Sequence, residues 1–119
     1  MYDDLYCKVF IDTNLNYEEL FSLIMQYIDG KKDAVSYINT DWCSICVKNN
    51  KDYNTELYML NPDDFIYWKY YLDIEPNDIE EREYINKVSN LLKYIRKHCI
   101  AVIAACDFEQ EIDNNVSEV

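Results

Sequence analysis

Two acidic motifs of the same form are the part of this sequence best suited to chemistry. Asp73 and Glu75 form the first motif, and Asp107 and Glu109 form the second. Paired carboxylates can transfer protons or bind a hard cation such as a divalent metal ion. No base, nucleophile or oxyanion donor accompanies them. A metal-dependent enzyme that uses these four carboxylates therefore remains an alternative, whereas our main expectation is a protein that is not an enzyme.

The cysteines and the single histidine give weaker indications. Cys43 and Cys46 have the spacing of a thioredoxin-type redox pair, but that chemistry needs a helix that begins at the first cysteine, and here the chain continues as a strand. A zinc site would need a second pair of cysteines or histidines. His98 has no nearby serine and no well-placed cysteine with which to form a catalytic triad. We interpret the five cysteines as packed thiols of a reducing compartment, and we expect no cofactor.

Net charge limits the partners that the chain can have. Its 119 residues include 11 basic and 23 acidic side chains, which gives a formal charge of −12. Nucleic acids and anionic membranes attract basic proteins, so this composition argues against both and favours a cationic protein partner. The first residues are acidic where a secretory signal would be basic, and no apolar run approaches the roughly 18 to 20 residues of a membrane span. We therefore expect a cytoplasmic protein with a single domain over residues 1–119.

Hydrophobic periodicity predicts four strands and two helices. The strands are predicted over 5–12, 34–47, 65–74 and 100–107, the second of them bent or split, and the helices over 17–29 and 78–98. Asn16 and Glu19 have the spacing of a capping box for the first helix, which Gly30 is expected to end in a left-handed conformation. Asn77 is expected to cap the second helix. Residues 49–64 are predicted to form a loop with room for a short extra element, and the acidic tail from about residue 108 is expected to fray.

This order of elements predicts a ferredoxin-like fold. A β-α-β-β-α-β chain whose two helices each have one apolar stripe typically forms a four-stranded antiparallel sheet with both helices on one face. Right-handed crossovers give the strand order 4-1-3-2, in which the third and fourth strands end where the first begins. Many acidic residues then meet at one end of the molecule. They are Asp3, Asp4, Asp29, Asp33, Asp73, Glu75, Asp78, Glu80, Glu81, Glu83, Asp107, Glu109, Glu111 and Asp113, with only Lys31, Lys32 and Arg82 among them.

The sheet face without helices is predicted to be aromatic. Its expected side chains are Tyr6, Lys8, Phe10, Tyr67, Lys69 and Tyr71, with Trp42 beside them. RNA-recognition domains of this topology stack bases on aromatic residues of the two central strands, so an RNA- or ligand-binding domain that uses this face is a second interpretation. The sequence signature of that module is missing and the net charge opposes it, so a protein interface or a dimer face fits better.

Three short segments carry a resemblance to a known family. They are Ile11-Asp12-Thr13, the run Tyr71–Pro76 and the run Ala104–Glu109, within a small acidic chain rich in Asn and Tyr. In this context they resemble bacterial immunity proteins of polymorphic toxin and contact-dependent growth inhibition systems. The resemblance implies an antitoxin that binds a cognate basic toxin domain, often a nuclease, and occludes its active site or substrate surface. An acidic protein can do this by imitating phosphate charge, with fast, electrostatically steered association.

We therefore predict a partner-binding surface at the acidic end, with the aromatic sheet face or the loop 49–64 as a second contact. The predicted contact residues are Asp73, Glu75, Asp78, Glu80, Glu81, Asp107, Glu109, Glu111, Tyr67, Tyr71 and Trp42. The expected partner is the basic toxin domain, with neither nucleic acid nor membrane bound, and the sequence leaves both a monomer and a homodimer open.

Overall fold

The fold is built on one antiparallel sheet, with its two longest helices packed on one face. The computed structural model describes residues 2–28, 30–34 and 36–116. Its strands are β1 (Cys7–Asp12), β2 (Lys31–Ala34), β3 (Tyr37–Asn39), β4 (Cys43–Asn49), β5 (Tyr70–Pro76) and β6 (Ala101–Ala105). Its helices are α1 (Tyr17–Ile28), α2 (Thr55–Leu60), α3 (Glu81–Arg96) and α4 (Glu109–Val116), with a short 3-10 helix over Phe65–Tyr67.

Six strands form the sheet, in the order β2-β3-β4-β5-β1-β6, and each neighbouring pair is antiparallel. The prediction of four strands was therefore wrong. The first, third and fourth predicted strands correspond to β1, β5 and β6. The second, predicted over 34–47 as bent or split, is divided into β3 and β4. Strands β4, β5, β1 and β6 lie in the expected relative order, while β2 and β3 form a hairpin beyond β4. Periodicity did not reveal this hairpin because its first strand, Lys-Lys-Asp-Ala, has no apolar alternation.

The core lies between the sheet and helices α1 and α3. Alternate residues of β1, namely Cys7, Val9 and Ile11, are fully buried on the face that these helices cover. The apolar stripe predicted for the second helix is confirmed in α3, whose fully buried side chains include Ile85, Val88, Leu91, Leu92 and Ile95. Burying one such side chain contributes ~1.5–3 kcal/mol, so α3 is the main apolar anchor of the sheet.

The predicted capping box at the start of α1 is present, whereas the predicted cap of α3 was wrong. The Asn16 backbone N–H donates to Glu19 Oε1 at 2.9 Å, and the Glu19 N–H donates to Asn16 Oδ1 at 2.8 Å. Glu80, rather than Asn77, accepts hydrogen bonds from the first backbone N–H groups of α3. The Asn77 amide instead donates to the Thr40 carbonyl at 2.8 Å, which ties the β3–β4 turn to the end of β5.

Gly30 follows α1 for a different reason from the one predicted. Its backbone does not adopt the left-handed conformation that was expected. A Cβ atom at this position would lie 2.5 Å from Ile38 Cγ2, which is closer than real Cβ contacts. Glycine is therefore needed here because β3 passes close to the chain after α1.

The third predicted strand begins later than expected. Residues Phe65–Tyr67 form the 3-10 helix, and β5 starts only at Tyr70. Between them, Trp68 is buried and its indole N–H donates to the Pro62 carbonyl at 2.8 Å. The aromatic residues that suggested a strand here pack this connection instead. The short extra element expected within 49–64 is α2.

The acidic tail that was predicted to fray folds into α4. Phe108 and Ile112 are fully buried. The Phe108 ring lies 6.0 Å from the Tyr2 ring and 5.9 Å from the Tyr84 ring, measured between centroids. Two apolar residues four positions apart lie on one helix face, and that is enough to anchor an otherwise polar segment.

Candidate partner-binding surface

One end of the molecule gathers the N-terminal segment, the end of β5, the start of α3 and helix α4. The Tyr2 backbone N–H donates to Glu81 Oε1 at 3.1 Å, and its hydroxyl donates to Glu111 of α4. Arg82 forms an ion pair with the same Glu111. We call this end the acidic pole, and its acidic residues are Asp3, Asp4, Glu75, Asp78, Glu80, Glu81, Glu83, Asp107, Glu109 and Glu111.

Two carboxylates of the acidic pole have structural roles that shift their pKa. Two backbone N–H groups of α3 donate to Glu80 and hold its pKa below the usual value. The Arg82 guanidinium and the Tyr2 hydroxyl lower the pKa of Glu111 in the same sense. Both groups therefore stabilise the junction of the N-terminal segment, α3 and α4 while they are ionised.

The acidic pole also contains carboxylates that form no hydrogen bond or ion pair of this kind. Among the residues that the structure describes, the exposed carboxylates with neither a hydrogen bond nor an ion pair are Asp3, Glu75, Asp78, Glu83, Asp107 and Glu109. Like charges gathered in this way repel one another and lower the stability of the fold. The same charges are available to a cationic surface that docks on the pole.

Asp73 was predicted at this pole, but it lies on the open face of the sheet. It accepts a hydrogen bond from the Tyr6 hydroxyl and forms an ion pair with Lys48 at 3.3 Å. Asp73 lies within β5, where Cys46 of β4 and Lys8 of β1 are its neighbours in register, so its charge is paired on the sheet face. Of the other acidic and basic residues predicted here, Asp29 and the side chains of Lys31, Lys32, Asp33 and Asp113 lie outside the described residues.

The open sheet face carries aromatic residues, but part of it is covered. Lys8 Nζ lies 4.2 Å from the centroid of the Tyr71 ring, and the Phe10 and Tyr71 ring centroids are 6.1 Å apart. Phe10 is buried because Phe65 of the 3-10 helix packs on it at 5.0 Å between centroids. Tyr67, also predicted for this face, lies in that 3-10 helix rather than on a strand. Bases therefore cannot stack on Phe10, one of the aromatic residues on which the RNA-binding interpretation depends.

Trp42 lies on the helix side of the sheet, so its predicted place beside the aromatic face was wrong. Its ring centroid is 6.0 Å from that of Tyr84, and Lys87 Nζ lies 5.8 Å from it. The strand alternation does not extend to Trp42 because β4 begins at Cys43. Trp42 instead borders a groove of about 430 Å³ at the acidic pole. The groove is lined by Asp41, Trp42, Asp78, Ile79, Glu80, Glu83 and Lys87.

This groove contains two charged residues that the sequence analysis missed, Asp41 and Lys87. The Asn77 backbone N–H donates to the Trp42 carbonyl at 2.9 Å and so brings the β3–β4 turn beside the start of α3. The two partners are far apart in the sequence, and no local pattern signals their contact. The sequence contains a signal for Lys87 but not for Asp41. Lys87 lies on the face of α3 next to the buried stripe, as its spacing along the helix indicates.

A second exposed surface, in the segment from Tyr53 to Ile66, is apolar. Met59 and Leu60 are 72% and 74% exposed, and α2 buries none of its residues. The Tyr58 hydroxyl donates to an Asp12 carboxylate oxygen at 3.0 Å, which holds α2 beside the end of β1. Contiguous exposed apolar side chains usually mark a site of association. This surface overlaps the loop 49–64 that was predicted as a second contact.

The structure shows no metal site among the described residues. In that part of the chain, no cluster of three or more histidine, cysteine, aspartate or glutamate side chains is placed to hold a metal ion. Asp73 is engaged on the sheet face, while Asp107 and Glu109 lie beyond the end of β6 and point into solvent. The two acidic motifs therefore do not converge on one point.

Within the described part of the chain, none of the helices is long and apolar enough to cross a membrane. No protein-family model matches the chain, and neither a curated protein nor a solved structure matches it. The function must therefore be argued from the surface itself, whose main feature is the acidic pole.

Proposed function

We propose that this protein is an immunity protein that binds a cationic toxin domain, such as a nuclease, through its acidic pole. The observation that carries the proposal is the set of exposed carboxylates at the pole that have no partner among the described residues. Unpaired like charges destabilise their own fold, and a basic partner would relieve that repulsion. The resemblance to immunity proteins of polymorphic toxin systems supports the same function. In this proposal the protein acts in the cytoplasm and is not an enzyme.

The proposal also includes the finer description of the fold. We infer that β4, β5, β1 and β6, with α1 and α3, form a ferredoxin-like core. In this description the β2–β3 hairpin and α4 are additions to that core. Helix α4 adds Glu109 and Glu111 to the pole and so contributes to the binding surface.

The groove beside Trp42 gives the pole a shaped feature as well as charge. Asp78, Glu83 and Asp41 line it together with the Trp42 indole. A guanidinium or ammonium group of the partner can pair with these carboxylates and lie against the aromatic ring. The exposed apolar surface around Met59 and Leu60 lies near the opposite end of the strands and serves as the second contact.

The test is affinity capture of partners at low ionic strength, compared between charge-reversed variants. The pole variant is Glu75→Lys with Asp107→Lys. The matched control is Glu18→Lys with Asp52→Lys, which makes the same change in net charge at exposed sites away from the pole. We expect the unmodified protein and the control to retain a basic protein domain that salt releases. The pole variant should lose it, because steered association depends on the local field.

The identity of the captured material decides between this proposal and the alternatives. Nucleic acid in the eluate would overturn it in favour of the open sheet face. Stoichiometric divalent metal without protein would overturn it in favour of the carboxylate motifs. Equal loss of the basic domain by the pole variant and the control would show that net charge alone, and not the pole, holds the partner.

A further inference from the structure

Two of the five cysteines face each other across neighbouring strands. In the antiparallel pair of β1 and β6, Lys8 is opposite Ala105, so the next position places Cys7 opposite Cys106. Directly opposed residues of an antiparallel pair have Cα atoms ~4.5–5.5 Å apart, which lies inside the range that a disulfide spans. The backbone therefore needs no rearrangement for these two residues to be joined.

The two side chains also share one face of the sheet. Cys7 is fully buried in the core, and Cys106 is partly buried and packs against the same core cluster. The two thiols therefore lie on the same side of neighbouring strands, one in the core and one near the surface.

The surroundings of Cys106 favour its thiolate form. The neighbouring Cys7 thiol and Phe108 backbone amide lower the pKa of Cys106, against the opposing effects of burial, Glu109 and Asp107. Helix α4 begins close behind it, at Glu109. By contrast, the neighbouring Cys106 and burial raise the pKa of Cys7.

The other cysteines with shifted pKa values lie in the opposite environment. Burial raises the pKa of Cys43 to about 11, and it also raises the pKa of Cys99. Neither of these thiols faces another cysteine across a strand pair in the described part of the sheet. Cys106 is also partly exposed whereas Cys7 is fully buried, so Cys106 is the thiol of the pair that an oxidant reaches first, and Cys7 is placed to resolve its oxidised form.

We propose that Cys7 and Cys106 form a redox-active dithiol, a modification site that closes into a disulfide when a hydroperoxide reaches Cys106. This inference does not depend on the proposed binding function. Hydroperoxides are the oxidants because they react with partly accessible thiolates, and a nearby second thiol converts the product into a disulfide.

With hydrogen peroxide as the hydroperoxide, the reaction balances in two steps. The Cys106 thiolate attacks one peroxide oxygen, the O–O bond breaks, and the leaving hydroxide takes a proton to become water, which leaves a sulfenic acid on Cys106. The Cys7 sulfur then attacks the Cys106 sulfur, the S–O bond breaks, and a second water leaves with the Cys7 proton. Each sulfur is oxidised by one electron overall, and the peroxide is reduced to two molecules of water. A cellular thiol can return the disulfide to the dithiol.

The proposal is tested on the intact reduced protein. Treatment with hydrogen peroxide should lower the mass by two hydrogen atoms, and peptide mapping without reductant should recover Cys7 joined to Cys106. Before oxidation, iodoacetamide near neutral pH should alkylate Cys106 at least about tenfold faster than Cys99, because the thiolate is the nucleophile. Cys106→Ser should abolish the mass loss, whereas Cys99→Ser, which also replaces a partly buried thiol, should preserve it.

Three results would overturn the proposal. The first is over-oxidation of Cys106 to sulfinic acid while Cys7 remains a free thiol. The second is a disulfide that joins any other pair of cysteines at the same rate. The third is alkylation of Cys106 no faster than that of Cys99. All three readouts use the unsubstituted chain, so a variant that fails to fold does not leave the question open.

Discussion

At the scale of single residues, the aspartates that begin the two acidic motifs have different surroundings. Asp73 is bonded to Tyr6 and Lys48, whereas Asp107 is exposed and unpaired among the described residues. The Lys48 side chain is 44% exposed, so solvent screens the ion pair, and Asp73→Asn should lower the free energy of unfolding by only about 0.5–1 kcal/mol. Asp107→Asn should leave it unchanged or raise it, because it removes a repelling charge. Urea unfolding of the two variants measures the difference, and equal losses would contradict the assignment of these roles.

The pH dependence of stability should follow the residue that caps α3. The pKa of Glu80 is lowered in the folded protein, so its stabilising effect is complete above 4.5, its ordinary value. The effect is lost as the pH falls through the lower, folded-state pKa. Glu80→Gln keeps an oxygen that can accept the same hydrogen bonds but removes the charge. The variant should therefore be less stable than the unmodified protein at pH 7, and the gap should close toward pH 3.

Urea unfolding at both pH values measures that gap. Glu83→Gln is the control, since Glu83 lies in the same helical turn and its side chain has no partner among the described residues. Glu111, whose pKa is also lowered, acts in the same sense and remains in both variants. A gap between Glu80→Gln and the unmodified protein that stays constant from pH 7 to pH 3 would contradict the charged cap.

At the scale of elements, local patterns predicted the parts of the fold that local interactions build. The reciprocal bonds of Asn16 and Glu19 and the buried stripe of α3 are encoded within a few turns of chain, so their sequence signals were sufficient. The position of Asn77 depends on its contact with the distant β3–β4 turn, whereas the β2–β3 hairpin is local but begins with a strand that has no apolar alternation. The reason for Gly30 could not be predicted from local sequence either. A glycine is needed there because Ile38 of β3 lies close to it, and not because the backbone adopts a special conformation.

Helix α4 is the element whose prediction from sequence was least successful, and it gives a sharp test. If Phe108 is buried against Tyr2 and Tyr84, Phe108→Ala should lower the free energy of unfolding by about 3–5 kcal/mol. A frayed tail would show no loss. Gln110→Ala in the same helix is the control, because Gln110 is exposed and its replacement should change little. Equilibrium unfolding in urea distinguishes the two cases.

At the scale of the whole molecule, the acidic pole was predictable in outline because topology decides which chain ends meet. The antiparallel register places the start of β1 beside the ends of β5 and β6, and this arrangement followed from the order of elements. What the sequence did not show is how each carboxylate is used. Asp73 is neutralised on the sheet face and Glu80 caps a helix, while Glu75 and Asp107 remain unpaired among the described residues. Those differences arise from tertiary contacts, which neither the alternation of side chains along a strand nor the count of charged residues can predict.

Salt should act on the whole molecule through the acidic pole. Repulsion among its exposed carboxylates weakens as the Debye length falls from ~30 Å at 0.01 M to ~3 Å at 1 M salt, so the isolated protein should become more stable as sodium chloride is added. Glu75→Lys with Asp107→Lys removes part of that repulsion and adds attraction. The double variant should therefore be more stable than the unmodified protein at low salt, and the advantage should shrink at high salt.

Thermal unfolding across this range of salt measures both effects, with Glu18→Lys and Asp52→Lys as the matched control for net charge. Chloride is preferable to sulfate here, because sulfate also strengthens apolar burial and would stabilise every variant. If the control gains as much stability as the pole variant, the excess charge acts over the whole surface rather than at the pole. If the pole variant is instead less stable at low salt, the carboxylates at positions 75 and 107 are already satisfied within the molecule. The pole would then lack the unpaired charge on which the proposed binding of a cationic partner depends.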